Sequence, residues 1–497
     1  MTNDAAVAAS SEPYTCRNLI GGSWRPSTGP MRALHSPHDG SLIGHVPMST
    51  PSEVQEAARA AAAAFPAWRA LTLKERSAPL FRWRELMLTH LDHLAALAAS
   101  ESGKTVAEAR AGILKGIEVA EFALSLQNLD DGGSMEVSQG VTCQIQRRPL
   151  GVVAGITPFN FPAMVPLWMI PIALTVGNCF ILKPSEKVPL TSQKMGEIFI
   201  AAGYPAGVFS VINGGKETVE ALIDATEVAA VGFVGSTPAA RAVYQRATSL
   251  GKRALALGGA KNPVIVVPDA DPEFSVQGIV DSFTGCAGQR CMAASLLIAV
   301  GKVDHIIDAV VKRASSLKLG KDQQMGAIID AAAKARITDI IGRAEKDGAK
   351  IILDGRRVTP PSGSAAGHWL APTIIDHASP GMECATTEIF GPVLTIVRVP
   401  DLSAALALEA TSAYGNAVSV FTTNGRVART VTDHATSGMI GINIGVPVPR
   451  EPFSFGGTKA SKFGHGDITG RSALDFWTHL IKLTSKWSAT AAQNWMS

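Results

Sequence analysis

The sequence predicts an α/β protein built from two sheet-centred domains and a separate small β arm. From residue 151 onward, short apolar runs rich in β-branched residues alternate with longer stretches of helical period, the rhythm of βαβ units around a mainly parallel sheet. That rhythm restarts after the glycine pair Gly258 and Gly259 in "LALGGAKNP", which marks the crossover between two such units. Two further segments, "VTCQIQRRPL" at 141–150 and "DFWTHLIKLTSKW" at 475–487, alternate with period two and stand outside the rhythm.

In chain order, the opening "MTNDAAVAASSE" is small and polar, without the basic stretch and long apolar run of a secretory signal, and reads as a loose tail over 1–13. Two helices follow, "PSEVQEAARAAAAAFPAW" from 51 and a long one, "LKERSAPLFRWRELMLTHLDHLAALAAS", from 73, both packing on the first domain. The first sheet takes its strands from "GVVAGI" (151–156), "CFIL" (179–182), "VFSVI" (208–212) and "VAAVGFV" (228–234). Between them "TSQKMGEIFIAAG" and "TPAARAVYQRATSLG" read as helices ending near glycine. The second sheet uses "PVIVV" (263–267), "ASLLIAV" (294–300), "LTIVRV" (394–399), "AVSVFTT" (417–423) and "GMIGINI" (438–444), with a helix over 302–317. The two period-2 segments read as extended arms. Unpaired strand edges are avoided in native proteins, so they either meet another subunit or fold as a hairpin on the chain's own surface.

A chain of 497 residues has room for two or three domains. With 45 basic against 42 acidic side chains the formal net charge is only +3, which gives no reason to expect nucleic acid as a partner. The stretch "GVVAGITPFNFPAMVPLWMIPIALTVGNCFILK" is apolar enough to mimic a membrane span, yet prolines at 158, 162, 166 and 171 interrupt it, so it reads as buried core. Six cysteines (16, 143, 179, 286, 291, 384) are scattered, and none forms a CxxC pair. Neither a disulfide framework nor a metal site is indicated, and a cytoplasmic setting fits best.

The chemistry concentrates in "CAGQRCMA", residues 286–293. A cysteine is a nucleophile only as thiolate and only if substrate can reach it; an arbitrary cysteine is more often core. Cys291 stands out because Gly288 allows close backbone approach and the polar Gln289 and Arg290 lie where a helix gives way to a strand, the strand edge being where α/β proteins place reactive groups. Cys286, one helical turn deeper among Phe283, Gly285 and Ala287, suits packing.

"FTGCAGQRCMA" resembles the nucleophile motif of the aldehyde dehydrogenase superfamily. "TPFNFP" (157–162), "KPSEK" (183–187), "GFVGST" (232–237), "LALGGAKNP" and "EIFGP" (388–392) resemble the family's other signatures in the family's order, covering most of 15–487. The resemblance implies an aldehyde dehydrogenase-like fold. A Rossmann-like NAD-binding domain would span 14–130 and 151–257, a catalytic domain 258–450, and an oligomerisation arm 131–150 with 475–497. It also implies a dimer or tetramer. In the family's scheme Cys291 attacks the aldehyde, and Asn160 with the Cys291 N–H holds the oxyanion, a donor being worth roughly 3 kcal/mol. Asn160 would otherwise read as a turn residue between two phenylalanines.

Hydride acceptance by NAD is implied, with Thr157, Phe159, Lys183, Glu186, Lys187, Ser236, Gly258, Glu388 and Phe390 as cofactor residues. Lys183 and Glu186 follow the strand "CFIL", at the carboxyl end where such sheets bind ligands. Glu186 suits ribose hydroxyls and repels a 2′-phosphate, favouring NAD over NADP. Ser236 opens a helix, where phosphate binds, although a simple N-cap has the same local sequence.

Hydrolytic members carry a glutamate base two residues before the glycine pair. Here that position is Ala256. An alanine accepts no proton, whereas an ionised thiol needs no base to attack an acyl thioester. Loss of the glutamate therefore fits coenzyme A as acceptor. "GQRCMA", "GINIGVPVP" and the terminal "LTSKW" look like the CoA-acylating methylmalonate-semialdehyde dehydrogenase branch. The branch implies that Arg290 reads the substrate carboxylate, a task that suits a guanidinium. Where the branch has a second such arginine this chain has Lys115, Pro263 replaces a histidine, and "PVPREPF" brings Arg450 and Glu451 where apolar residues are common. The expected activity is NAD-dependent, CoA-acylating oxidation of malonate or methylmalonate semialdehyde to acetyl-CoA or propionyl-CoA with loss of CO2. The alternatives are a hydrolytic dehydrogenase acting on another polar aldehyde and an inactive fold with a binding role.

Overall fold

Five short apolar strands pair in parallel to form the centre of the first sheet, in the spatial order Arg253–Leu257, Val228–Val234, Val152–Ile156, Cys179–Lys183, Phe209–Val211. Antiparallel strands extend both edges, Lys462–Phe463 beside Arg253–Leu257, and Asn18–Ile20 with Ser23–Arg25 beside Phe209–Val211. From Val152–Ile156 the chain builds outward on one side and then returns to build on the other. The order therefore reverses between Val152–Ile156 and Val228–Val234, and a crevice opens at the carboxyl ends of strands at such a reversal. The computed structural model describes residues 13–128 and 132–487; most of the expected tail and the last residues of the arm lie outside the described residues.

The second sheet runs Lys350–Leu353, Thr373–Asp376, Val393–Val399, Ala294–Val300, Asn262–Val266, Ala417–Phe421, Met439–Ile442, parallel except for its first strand. Residues 258–261 carry the chain from the last parallel strand of the first sheet to the first of the second. The span-like stretch resolves into strand Val152–Ile156, helix Met164–Thr175 and strand Cys179–Lys183, with all but the helix's first residue buried. Among the described residues no helix is long and apolar enough to cross a membrane.

Two expectations are corrected. The long helix from 73 is two helices, Leu73–Thr89 and Leu91–Ser102, broken at His90 (φ −96°, ψ 12°). Apolar residues keep their helical spacing across the break, so periodicity does not show it. A further helix, Val106–Ser125, begins at a capping box in which Glu108 N–H donates to Thr105 Oγ1 and Thr105 N–H to Glu108 Oε2. The segment at 475–487 is strand only from 478. Asp475–Trp477 end the helix Gly470–Trp477, because Phe476 and Trp477 are buried in the body, Trp477 edge-on to Phe180 with ring centroids 6.0 Å apart.

The remaining strand, Thr478–Lys486, pairs antiparallel along the whole of Val141–Pro149, and Gly133–Ser138 adds a third strand. The two isolated segments thus satisfy each other within one chain. Met135, Ile145, Leu480 and Leu483 of this small sheet remain exposed.

One fully buried side chain fastens the arm to the first sheet. Asn178 accepts at Oδ1 from Leu150 N–H (2.8 Å) and Gly151 N–H (3.1 Å), and donates from Nδ2 to the carbonyls of Ala173 (3.1 Å) and Trp477 (2.9 Å). Asn178→Ala would orphan three of these partners, the Ala173 carbonyl keeping the backbone N–H of residue 178 (3.0 Å), and each orphan costs about 1–3 kcal/mol when buried. Its denaturant midpoint, read by tryptophan fluorescence, should fall by the equivalent of about 3 kcal/mol or more; a shift comparable to an exposed-surface alanine would contradict this role.

Candidate active site

A cleft of about 670 Å³ lies at the reversal point of the first sheet, within the size range of small-molecule sites. Its floor comes from the residues that leave the strand ends: Thr157 to Phe161, Lys183 to Lys187, Gly235 to Ala239, and the Gly258–Gly259 wall. The second sheet's side contributes Cys291, Glu388, Phe390 and Tyr414.

Cys291 ends a tight loop that begins at the short 3-10 turn Gly285–Gly288. Gly288 has φ +68°, and a Cβ there would come within 2.0 Å of the Gly391 carbonyl, so only glycine lets this loop lie against the loop that carries Glu388 and Phe390. Gln289 holds the loop from below: its Oε1 accepts from Ile329 N–H (3.0 Å) and its Nε2 donates to Ala327 O (3.2 Å). Asn262 and Asn416 both donate to the Cys291 carbonyl, at 2.6 and 3.0 Å. Glu108, already capping its own helix, accepts the Cys286 N–H at 2.5 Å. Cys286 is buried in left-handed backbone (φ 54°) and is not part of the cleft wall.

Asn160 is buried and donates from Nδ2 to the Gln289 carbonyl at 2.9 Å. That bond uses one of its two amide hydrogens and ties it to the residue two positions before Cys291, in the same cleft. Burial, aided by repulsion from Glu388, pushes the Cys291 thiol up to about 12; Arg290 and Lys104 pull it down without offsetting this. At neutral pH the resting group is a thiol. Glu388 is itself pushed up to about 7 by burial, against the pull of the Ala260 N–H (2.9 Å), Lys261 and Arg336.

On the expected cofactor side, Lys183 is buried, donates to Gly214 O (2.8 Å) and lies 3.5 Å from Glu186. Glu186 also faces Arg32 at 3.9 Å. Lys187 reaches away to Asp330 (2.6 Å) and sits over the Phe159 ring. Phe159 meets Phe390 edge-on at 5.8 Å. The Thr157 N–H donates to Lys183 O at 3.1 Å, tying the first two strand ends together. Ser236 is the N-cap of helix Thr237–Ser249, yet its side chain makes no cap hydrogen bond. The helix start is thus open toward the cleft, an arrangement that suits phosphate. A Cβ on Gly258 would meet Ala460 O at 2.7 Å, and one on Gly259 would meet Glu388 at 2.3 Å; the wall is bare backbone because nothing larger fits. Ala256 is buried inside its strand, paired with Phe233 and Phe463, and carries no carboxylate. Taken together, the open helix start, the Lys183–Glu186 pair and the glycine wall suit a dinucleotide.

The two residues expected at the substrate carboxylate do not join this constellation. The Arg290 guanidinium folds back onto the Asp281 and Ser282 carbonyls, the second at 3.0 Å, capping the C-terminal end of helix Pro272–Thr284. Lys115 is held by Glu118 (2.9 Å) and Glu451 (3.0 Å). The sequence alone does not single out Asn262, Asn416 or Glu108, and it marks Gln289 only as a polar neighbour of Cys291. Asn262 and Gln289 stand inside quoted motifs, and polar residues there carried the signal; Glu108 and Asn416 act through contacts more than a hundred positions away, which a single sequence does not show.

Ionised Glu388 opposes ionisation of Cys291. Glu388→Gln removes that repulsion at nearly constant volume, so the pH midpoint for alkylation of Cys291 by iodoacetamide should move down. An unchanged midpoint would contradict the assigned proximity.

Comparison with known proteins agrees with this geometry. The Aldehyde dehydrogenase family profile matches residues 24–482. A malonate-semialdehyde dehydrogenase of Bacillus cereus is 40% identical over 478 residues, spanning 95% of this chain and 98% of its own. A Sinorhizobium meliloti 1021 protein solved in complex with NAD superposes with TM-score 0.95 at 36% identity, covering 97% of this chain and 100% of its own. The methylmalonate-semialdehyde dehydrogenase of Oceanimonas doudoroffii gives TM-score 0.94 at 38% identity, covering 96% and 99%. With its sequence matched almost end to end and its fold shared with these enzymes, the chain belongs to the aldehyde dehydrogenase family.

Proposed function

We propose that this protein oxidises malonate or methylmalonate semialdehyde with NAD and transfers the acyl group to coenzyme A, giving acetyl-CoA or propionyl-CoA with loss of CO2. The carrying observation is that Cys291 and Asn160 share a cleft at the sheet's reversal point, while the position from which hydrolytic members supply their base is Ala256. The likeness to semialdehyde dehydrogenases of Bacillus cereus and Oceanimonas doudoroffii supports the substrate class.

Cys291, partly exposed in the cleft, attacks the aldehyde carbon through Sγ and gives its proton to solvent water as the bond forms, because the resting thiol sits near pKa 12. The developing oxyanion takes the second Asn160 amide hydrogen and the Cys291 N–H, both fixed before reaction by the Gln289, Asn262 and Asn416 contacts. NAD, when bound, supplies the hydride acceptor. Lys183 and Glu186 suit its ribose hydroxyls, the open helix start at Ser236 its phosphates, and Glu388 and Phe390 its nicotinamide end. Thr157, Phe159, Lys187 and Gly258 line the same cleft. Glu186 beside Lys183 and Arg32 is a carboxylate with two cations near it, so NAD is preferred through hydrogen bonding to ribose more than through charge.

Oxidation leaves an acyl thioester on Cys291. A water molecule attacking it needs a base, whereas the CoA thiolate does not. The domain division of 14–130 with 151–257, 258–450, and the arm follows the two sheets and the small antiparallel sheet. The exposed apolar side chains of that small sheet support a homodimer or homotetramer, and the cytoplasm is the proposed compartment.

NADH formation from malonate semialdehyde should require CoA for sustained turnover and yield acetyl-CoA, identified by mass spectrometry; steady turnover indifferent to CoA, with a free acid as product, would establish the hydrolytic alternative instead. Asn160→Ala should lower kcat by about 10²–10³, the cost of one oxyanion donor, while Cys291→Ala should abolish NADH formation; residual turnover in the latter near the wild-type rate would displace Cys291 as nucleophile.

A further inference from the structure

Helix Val106–Ser125 presents Glu108, Gly112, Lys115 and Gly116 on one face, since residues three and four apart are neighbours on a helix. That face runs along the reaction centre. Glu108 holds the Cys286 N–H at 2.5 Å, a Cβ on Gly112 would lie 3.4 Å from Phe161, and one on Gly116 would lie 3.2 Å from Met164 Cα. Phe161 and Met164 follow directly on Asn160. Lys115 therefore stands beside the Asn160 turn, and its ammonium is the cation of this helix face.

The facing loop is tied to the nucleophile loop. Ser282 Oγ donates to Gly445 O at 2.6 Å and accepts from Ala294 N–H at 2.9 Å. Six residues beyond Gly445, Glu451 bonds Lys115 Nζ at 3.0 Å with only 8% of its side chain exposed. Glu118 completes a chain of charges, 2.9 Å from Lys115 and 3.5 Å from Arg450. Glu118, Arg450 and Glu451 line an open cavity of about 530 Å³ together with Glu121, Phe122 and Arg471.

We propose that Glu451 is a specificity-determining residue: it occupies the Lys115 ammonium that a carboxylated aldehyde would otherwise use, and so sets the balance between charged and neutral substrates. The Lys115–Glu451 pair adjoins this cavity through Glu451. A substrate carboxylate reaching Lys115 must displace an internal carboxylate already bonded there, which weakens its binding; a neutral aldehyde of the same length meets no such competition. A partly buried pair of this kind acts on discrimination through charge complementarity. The inference rests on the dehydrogenase reading of the cleft.

The test uses the full chain, Glu451→Gln and Lys115→Met, with NAD and CoA saturating and two aldehydes that differ in little but charge, malonate semialdehyde and propanal. Glu451→Gln should raise the ratio of kcat/KM for malonate semialdehyde over propanal roughly tenfold, through KM, and Lys115→Met should bring it below wild type. Malonate, as a non-reacting probe followed by calorimetry, should bind Glu451→Gln about tenfold more tightly than wild type. Ratios and malonate affinity that stay at the wild-type values in both variants, with propanal turnover reporting folded enzyme, would overturn the proposal. Should wild type oxidise neither aldehyde, the dehydrogenase reading fails, and malonate binding alone still decides whether Glu451 competes for Lys115.

Discussion

The contact on which the site depends is between two backbones. Position 288 carries no side chain, so the loop ending in Cys291 lies directly against the backbone at Gly391, where a Cβ would be 2.0 Å from a carbonyl oxygen. That approach sets Cys291 opposite Glu388 and Phe390, which belong to the same loop as Gly391, and lets Asn160 reach the Gln289 carbonyl. Gln289, Asn262 and Asn416 then hold the loop's polar groups, so the donors around the reacting atom need no reorganisation when charge develops. The two sheets serve this contact. One delivers Asn160 from the end of Val152–Ile156, the other places Cys291 just before Ala294–Val300.

Electrostatics follow from the same closeness. Burial raises both the Cys291 thiol and the Glu388 carboxyl, and ionised Glu388 opposes ionisation of Cys291. Cationic groups brought close to Cys291 favour its thiolate. A second balance holds outside the cleft, where Lys115 and Arg450 are set against Glu118 and Glu451. On the proposed reading, reactivity and substrate charge are governed by separate groups.

Much of this was legible in the sequence, for identifiable reasons. Strands buried on both faces, such as Cys179–Lys183 and Ala294–Val300, read as short apolar runs because nothing polar is tolerated on either side. Gly288 was expected to permit close approach, and it does. Lys350–Leu353 and Thr373–Asp376, the edge strand and its neighbour, carry weaker patterns and were passed over. The helix ending at Trp477 was read as strand because its last residues alternate by chance, while what fixes them is burial against Phe180, nearly three hundred positions earlier. The break at His90 leaves apolar spacing intact. Arg290 is expected at the substrate carboxylate because the resemblance implies it; its reach to the Asp281 and Ser282 carbonyls is a property of the helix end behind it, visible only in three dimensions.

The central claim is that an acyl group on Cys291 waits for a thiol because position 256 is an alanine and supplies no carboxylate to activate water. Intact-protein mass spectrometry after mixing enzyme, NAD and malonate semialdehyde without CoA tests this directly. The account predicts an acyl adduct located on Cys291 that persists for many turnover times and disappears when CoA is added. An adduct that decays to free enzyme and acid at the steady-state turnover rate, with CoA absent, would contradict it.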